Sequence, residues 1–103
     1  MQKENLIAIH DFCNSHHIEI SFISSLKQTG LLEITTRNET WFIDSGQLPQ
    51  LERYIRFFYE FDINLEGIET ITHLLHRIST MQDEITALRN RLRFYETNDI
   101  RTG

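Results

Sequence analysis

Apolar residues recur at alternating spacings of three and four residues over the last third of the chain, between about residues 64 and 96. They fill the a and d positions of four heptads, namely Ile71, Leu74, Ile78, Met81, Ile85, Leu88, Leu92 and Tyr95. Asn64 is a suitable N-cap, and no proline follows it. The pattern therefore predicts one long helix with a coiled-coil seam.

The length of this helix indicates how it is used. At 1.5 Å per residue it would span roughly 48 Å, whereas a globular chain of this size has a radius of gyration of only about 13 Å. We therefore expect the helix to project and to hold a homodimer through a seam made of Ile78, Met81, Ile85, Leu88 and Leu92. The alternative is a helix that folds back on its own domain.

The preceding residues predict a small, mainly α domain with one β-hairpin. Short helices are expected at 9–14, 19–29 and 47–61, with Leu6 and Ile7 in a short strand or lead-in. In the second helix, Ile20, Ile23 and Leu26 form the predicted core face, and Gly30 follows as the C′ residue. β-branched and aromatic residues on both sides of residues 37–39 predict the hairpin.

This order of elements is typical of a winged helix-turn-helix with a two-stranded wing and a long C-terminal coiled-coil helix. The predicted organisation is a winged domain at 6–63, a dimerisation arm at 64–96 and a disordered tail at 97–103.

Composition narrows the class of protein further. Of the 103 residues, 40% are hydrophobic and 11% aromatic, which is enough for a packed core. The net charge is −5, and the acidic excess is spread over both halves, which does not suit a phosphate-binding surface. The single cysteine, Cys13, excludes an internal disulfide. With no apolar run near a membrane span and no signal-peptide pattern, we expect a soluble cytoplasmic protein.

Several stretches carry a resemblance to a known family. They are Leu31-Leu32 after Gly30, ETWFID at 39–44, the helix at 51–61, DINLEGI at 62–68 and LLHRI at 74–78. Over roughly residues 6–95 the chain resembles the MerR-type DNA-binding domain, and more closely the MerR-like chaperone-modulator (CbpM) family. That family inhibits a DnaJ-type co-chaperone by acting on its J domain, so the resemblance implies a DnaJ-like co-chaperone as partner.

A MerR-like fold would normally contact DNA through its second helix and wing, and phosphate contacts need Lys or Arg. Here those elements offer only Lys27 and Arg37, the latter close to Glu39. MerR-type regulators usually carry arginines and a tyrosine pair in the second helix, where this chain has SFISSL at 21–26. We therefore do not expect DNA binding.

Candidate chemistry is sparse. Cys13, His16 and His17 lie close in sequence, and His73 and His76 are one helical turn apart, but a Cys-x-x-His pair without a second distant pair is a weak zinc signal. The chain has no Ser/His/Asp set, glycine-rich phosphate loop or HExxH motif. We expect no catalytic residue, metal or cofactor.

Aromatic residues are the stronger signal. Trp41 and Phe42 are adjacent in a predicted strand and must point to opposite faces. Phe57, Phe58, Tyr59 and Phe61 cannot all face one way on a helix. Trp41, Phe57 and Tyr59 are our candidate partner-binding residues; the alternative is that all these aromatics are core or dimer contacts.

We therefore predict a non-catalytic protein-binding regulator. An acidic, apolar surface suits the basic helix by which such J domains engage their ATPase chaperone partner, so binding would inhibit by competition. The alternatives are a MerR-like transcription regulator and a pure oligomerisation adaptor. Isoleucine at three a positions favours parallel arms, whereas the resemblance implies antiparallel arms, which we expect.

Overall fold

The chain folds into a mainly α structure with a small sheet, which confirms the predicted fold class. The computed structural model describes residues 5–102, and the side chains of residues 5–97. The strands and helices, in order, are β1 (Leu6–Ala8), α1 (Ile9–His16), α2 (Ile20–Thr29), β2 (Thr35–Arg37), β3 (Thr40–Asp44), α3 (Leu48–Ile55) and α4 (Leu65–Thr102). A 3-10 turn, Ser45–Gln47, precedes α3, and a π-helical turn, Arg56–Glu60, follows it.

The chain divides into two compact units. The first reaches Glu69 and contains the sheet, α1 to α3 and the first residues of α4. The second begins at Thr70 and consists of the rest of α4. That helix continues past residue 96 to Thr102, into the range expected to be a disordered tail; Gly103 lies outside the described residues.

The wing is a three-stranded antiparallel sheet in the order β1-β3-β2. β2 and β3 form the predicted hairpin, with Thr36 opposite Trp41. β1, the expected strand or lead-in, adds to the other edge of β3, where Ile7 lies opposite Ile43. Alternation along β3 turns Trp41 and Ile43 toward the core and places Phe42 on the opposite face.

Two left-handed residues end the first two helices. α1 stops at His17, which has φ 57°, and the Ile18 N–H then bonds to the Cys13 carbonyl oxygen. α2 stops at Gly30, whose φ of 82° suits a residue without a Cβ. The N–H groups of Gly30 and Leu31 bond to the carbonyl oxygens of Lys27 and Leu26, which makes a Schellman motif. The predicted C′ glycine is confirmed.

The core is formed where these elements meet. Its buried members are Ile9, Phe12, Cys13, Ile18, Phe22, Ile23, Leu26, Leu32, Ile43, Leu51, Tyr54 and Ile68. The face predicted for α2 was wrong at one position. Phe22 is buried beside Ile23 and Leu26, whereas Ile20 is 42% exposed. Ile20 is the first residue of α2 and lies roughly 200° around the helix from the buried Phe22.

The segment between α3 and α4 departs from a regular helix. The predicted helix over 47–61 changes to a π-helical turn at Arg56, and the Phe61 N–H bonds to the Arg56 carbonyl oxygen. Asp62 then takes φ 56° and ends the helix. α4 begins at the predicted N-cap, because the Asn64 side-chain oxygen accepts a 2.8 Å hydrogen bond from the Gly67 N–H.

Candidate functional site

Trp41 lies on β3 with its indole ring partly buried against the core. The Lys27 ammonium nitrogen stands 4.6 Å from the centre of this ring, in cation–π contact. Trp41 therefore contacts the core on one side and is open to the surface on the other. The alternative that the aromatic residues are core contacts applies to it in part. The contact also engages Lys27, the one cation in α2.

A groove of about 350 Å³ runs beside Trp41. Its lining residues come from the start of α1, the start of α2 and the wing: Ile9, His10, Ile20, Glu39, Thr40 and Trp41. Ile20 is exposed and Trp41 partly exposed, and together they provide the apolar part of the lining, while Glu39 is an exposed acidic residue of the lining at the tip of the wing. Such a mixture of apolar surface with a few polar groups is typical of recognition sites.

Ile20 and Glu39 were not among the predicted site residues. Ile20 had been assigned to the core because it shares a helical spacing with Ile23 and Leu26. Glu39 lies in the hairpin turn, which the sequence predicted over residues 37–39 without specifying its geometry; in the structure Arg37 pairs with Thr40, so the turn itself is Asn38 and Glu39. The sequence could have shown that Ile20 is exposed. Ile20 and Phe22 are two residues apart, so they cannot both lie on the buried face of α2.

Tyr59 contacts the residue before α2, Glu19, and Phe22 in the first turn of α2. Its hydroxyl oxygen accepts a long, 3.4 Å hydrogen bond from the Glu19 N–H. Its ring meets Phe22 edge-on at 5.5 Å and Phe58 at 5.1 Å, and Phe58 in turn lies 4.6 Å from Phe22. Phe58 and Tyr59 are consecutive, and both contact Phe22 of α2 because the π-helical turn widens the backbone there. Tyr59 is 40% exposed, so it supports α2 and also presents surface.

Phe57 is half-buried against the core, and its ring lies 6.4 Å from that of Phe61. Phe61 itself is exposed. The three predicted partner-binding residues therefore lie in different surroundings. Trp41 borders the groove, Tyr59 packs on Phe22, and Phe57 belongs to the edge of the core.

The outer face of α2 is mostly uncharged. Ser21 and Gln28 are exposed, and the Ser25 hydroxyl donates to the Ser21 carbonyl oxygen at 3.0 Å. Besides Lys27, the wing contributes Arg37, which is followed directly by Asn38 and Glu39. This face therefore carries few of the cations that phosphate contacts need.

The apolar residues of α4 form an exposed stripe. Ile78, Met81, Ile85, Leu88 and Leu92 have 46–59% of their surface accessible in the single chain. Leu74 and Tyr95 continue the stripe at either end and are also exposed. These residues share one side of α4 through their heptad spacing.

The cysteine and histidines are spread out. Cys13 is buried in the core, and this burial raises the pKa of its thiol. The His16 ring stacks on Phe12 at 4.1 Å, and its Nδ1 lies 3.1 Å from the Phe12 carbonyl oxygen. Over residues 5–97 the structure gathers no group of three or more His, Cys, Asp or Glu side chains suited to a metal ion. In the described part of α1 to α4, no helix has the length and apolar character that crossing a membrane requires.

Comparison with known protein families gives a match over most of the chain. The model of the family described as MerR HTH family regulatory protein matches residues 7–90, which include the winged domain and most of α4. No curated protein and no solved structure matches the chain.

Proposed function

Because the chain belongs to the MerR HTH family of regulatory proteins, we propose that it is a non-catalytic regulator that acts by binding another protein. The proposed partner is the J domain of a DnaJ-like co-chaperone in the cytoplasm. This choice of partner comes from the resemblance to the chaperone-modulator (CbpM) family in the wing at 39–44, the helix at 51–61 and the segments at 62–68 and 74–78.

One observation carries the choice of a protein over DNA. The face that a MerR-like domain would turn to DNA offers Lys27 and Arg37, and Lys27 is already in contact with the Trp41 ring. Several phosphate contacts are needed for useful affinity at physiological salt. The same face presents Ile20, Glu39 and the edge of Trp41, a combination that suits a basic and partly apolar protein surface.

The proposed mechanism is competition. A J domain engages its ATPase chaperone partner through a basic helix, and the net charge of −5 on this chain attracts such a helix. Occupying the helix would prevent the co-chaperone from stimulating its partner. No covalent step is involved.

A calorimetric titration with the purified J domain, at about 150 mM salt, tests this proposal. We expect saturable binding that is lost when the basic residues of the J-domain helix are replaced by glutamate. An absence of binding to the unmodified J domain would refute the proposal. Equal binding to both J domains would show that the basic helix is not the contact.

Binding to DNA as a transcription regulator is the second candidate, and membership of the MerR family favours it. A mobility-shift assay with genomic fragments at about 150 mM salt separates the two candidates. We expect no sub-micromolar complex. A complex of that strength, with an affinity that falls steeply as salt rises, would replace the J-domain proposal.

We also propose that α4 holds a homodimer through Ile78, Met81, Ile85, Leu88 and Leu92. Their exposure in the single chain supports this, since soluble monomers seldom leave a long apolar stripe uncovered. Antiparallel arms are the proposed arrangement, by resemblance to MerR-type proteins. A dimer that binds neither a J domain nor DNA would leave the third candidate, an oligomerisation adaptor.

A further inference from the structure

Glu39, at the tip of the wing, has a backbone conformation that is unfavourable for a residue with a side chain. Asn38 and Glu39 have φ values of 51° and 63°, and they lie between Arg37 and Thr40, which are paired across the hairpin. Two successive positive φ values between paired strands are the pattern of a type I′ turn, in which the second position is usually glycine. A glutamate there has a Cβ that the left-handed backbone disfavours.

The place of Glu39 beside the groove offers a reason for this choice. Glu39 lines the groove together with Ile20 and Trp41, whereas a glycine would relax the turn but leave the groove without this carboxylate. Strained residues tend to persist where they serve a function. The turn is therefore less stable with Glu39 than it would be with glycine, and the glutamate places a negative charge beside apolar surface.

We propose that this groove binds a helix of the partner protein through an arginine or lysine that lies next to an apolar residue. The basic side chain pairs with the Glu39 carboxylate, and its apolar neighbour packs on Ile20 and the open edge of Trp41. The identification of the partner as a J domain rests on the proposed function. The inference that the groove binds a basic side chain beside an apolar one rests on the lining residues alone.

Glu39 is the one fully charged residue among those that line the groove. His10 and Thr40 are the other polar residues of the lining, and Lys27 lies over the Trp41 ring, outside the lining residues. Lys27 covers part of the ring and so helps to hold the indole against the core. A phosphate in the groove would face the Glu39 carboxylate, which disfavours a nucleic acid.

Trp41 is the single tryptophan of the chain, so its emission reports directly on the groove. Two tryptophan-free probes are titrated into the whole protein: the J domain, and a synthetic helix of alanine with adjacent leucine and arginine on one face. We expect both probes to change the Trp41 emission in a saturable way. Duplex DNA serves as a third titrant.

Three variants test the lining. Glu39→Gln should weaken the binding of both basic probes about threefold, the size expected for an exposed ion pair. Ile20→Ala should weaken it about fivefold through lost apolar contact. Glu39→Gly should raise the melting temperature and also weaken binding, a combination that a purely structural role of Glu39 would not produce. Asp83→Asn, which removes the same charge from an exposed site on α4, is the matched control and should change nothing.

Each outcome decides between the proposals. If the synthetic helix leaves the Trp41 emission unchanged, the groove assignment is overturned. If the helix binds but the J domain does not, the groove assignment stands and the choice of partner fails. If the J domain binds equally to the wild type, Glu39→Gln and Ile20→Ala, the partner stands and the groove is wrong. DNA that changes the Trp41 emission and binds more tightly to Glu39→Gln would assign the groove to nucleic acid instead.

Discussion

The hydroxyl of Tyr54 donates a 3.1 Å hydrogen bond to the carbonyl oxygen of Leu31 and so ties α3 to the segment that follows α2. Tyr54 is almost completely buried and Leu31 is partly buried, so removing the hydroxyl deletes a hydrogen bond at the edge of the core. We expect Tyr54→Phe to lower the free energy of unfolding by about 1 kcal/mol, measured by urea denaturation.

Tyr59→Phe is the matched control for that change. The Tyr59 hydroxyl accepts only a 3.4 Å bond from the Glu19 N–H, and the residue is partly exposed, so water can replace the contact. We expect a loss of no more than about 0.5 kcal/mol. Equal losses in the two variants would contradict the structural role assigned to Tyr54.

Gly30 tests the end of α2. Its φ of 82° disfavours any residue with a Cβ, although an added Cβ would meet no atom within 4 Å. Gly30→Ala should therefore destabilise the protein by about 1 kcal/mol through backbone strain alone. Gly30→Asn should cost less, because asparagine tolerates this conformation better. A melting temperature that is the same for Gly30→Ala and the wild type would show that α2 ends in another way.

Local pattern was enough to predict much of this fold. Heptad spacing predicted α4, and the residue types Asn64 and Gly30 marked helix ends that the structure confirms. The two helix-end signals each lie within a few residues of the helix end that they predict. The β2–β3 hairpin was predicted for the same reason, since its strands flank one short turn.

The features that sequence reasoning missed depend on distant contacts or on small changes of backbone. A 3.6-residue period does not show that the helix widens at Arg56, which brings Phe58 and Tyr59 together onto Phe22. Likewise, Asn-Glu is a poor signal for a turn with two positive φ values. The sequence pattern therefore could not predict that Glu39 lines the groove.

Ile85→Asp tests the dimer seam of α4. If two copies pair through this stripe, the variant buries two carboxylates at the interface and should sediment as a monomer. Thr86→Asp adds the same charge one residue on, at a b position outside the seam, and should remain a dimer. A wild type that is already monomeric, or an Ile85→Asp variant of unchanged mass, would refute the proposed pairing.

The direction of the arms is tested with a cysteine at one seam position. Leu92→Cys is combined with Cys13→Ala, which removes the buried native thiol without leaving a polar group in the core. Antiparallel arms centred near Ile85 and Leu88 would hold the two copies of position 92 well beyond the roughly 7 Å Cα separation that a disulfide allows. We expect no cross-link on mild oxidation, and rapid cross-linking would instead show parallel arms.

The most direct test of the proposed function is the ATPase activity of the chaperone that the DnaJ-like co-chaperone stimulates. Rising amounts of this protein should reduce the stimulated rate to the unstimulated one, with half the effect near the dissociation constant measured for the J domain. The basal ATPase rate should not change. Stimulation that remains complete at concentrations that saturate the J domain would contradict the competitive mechanism.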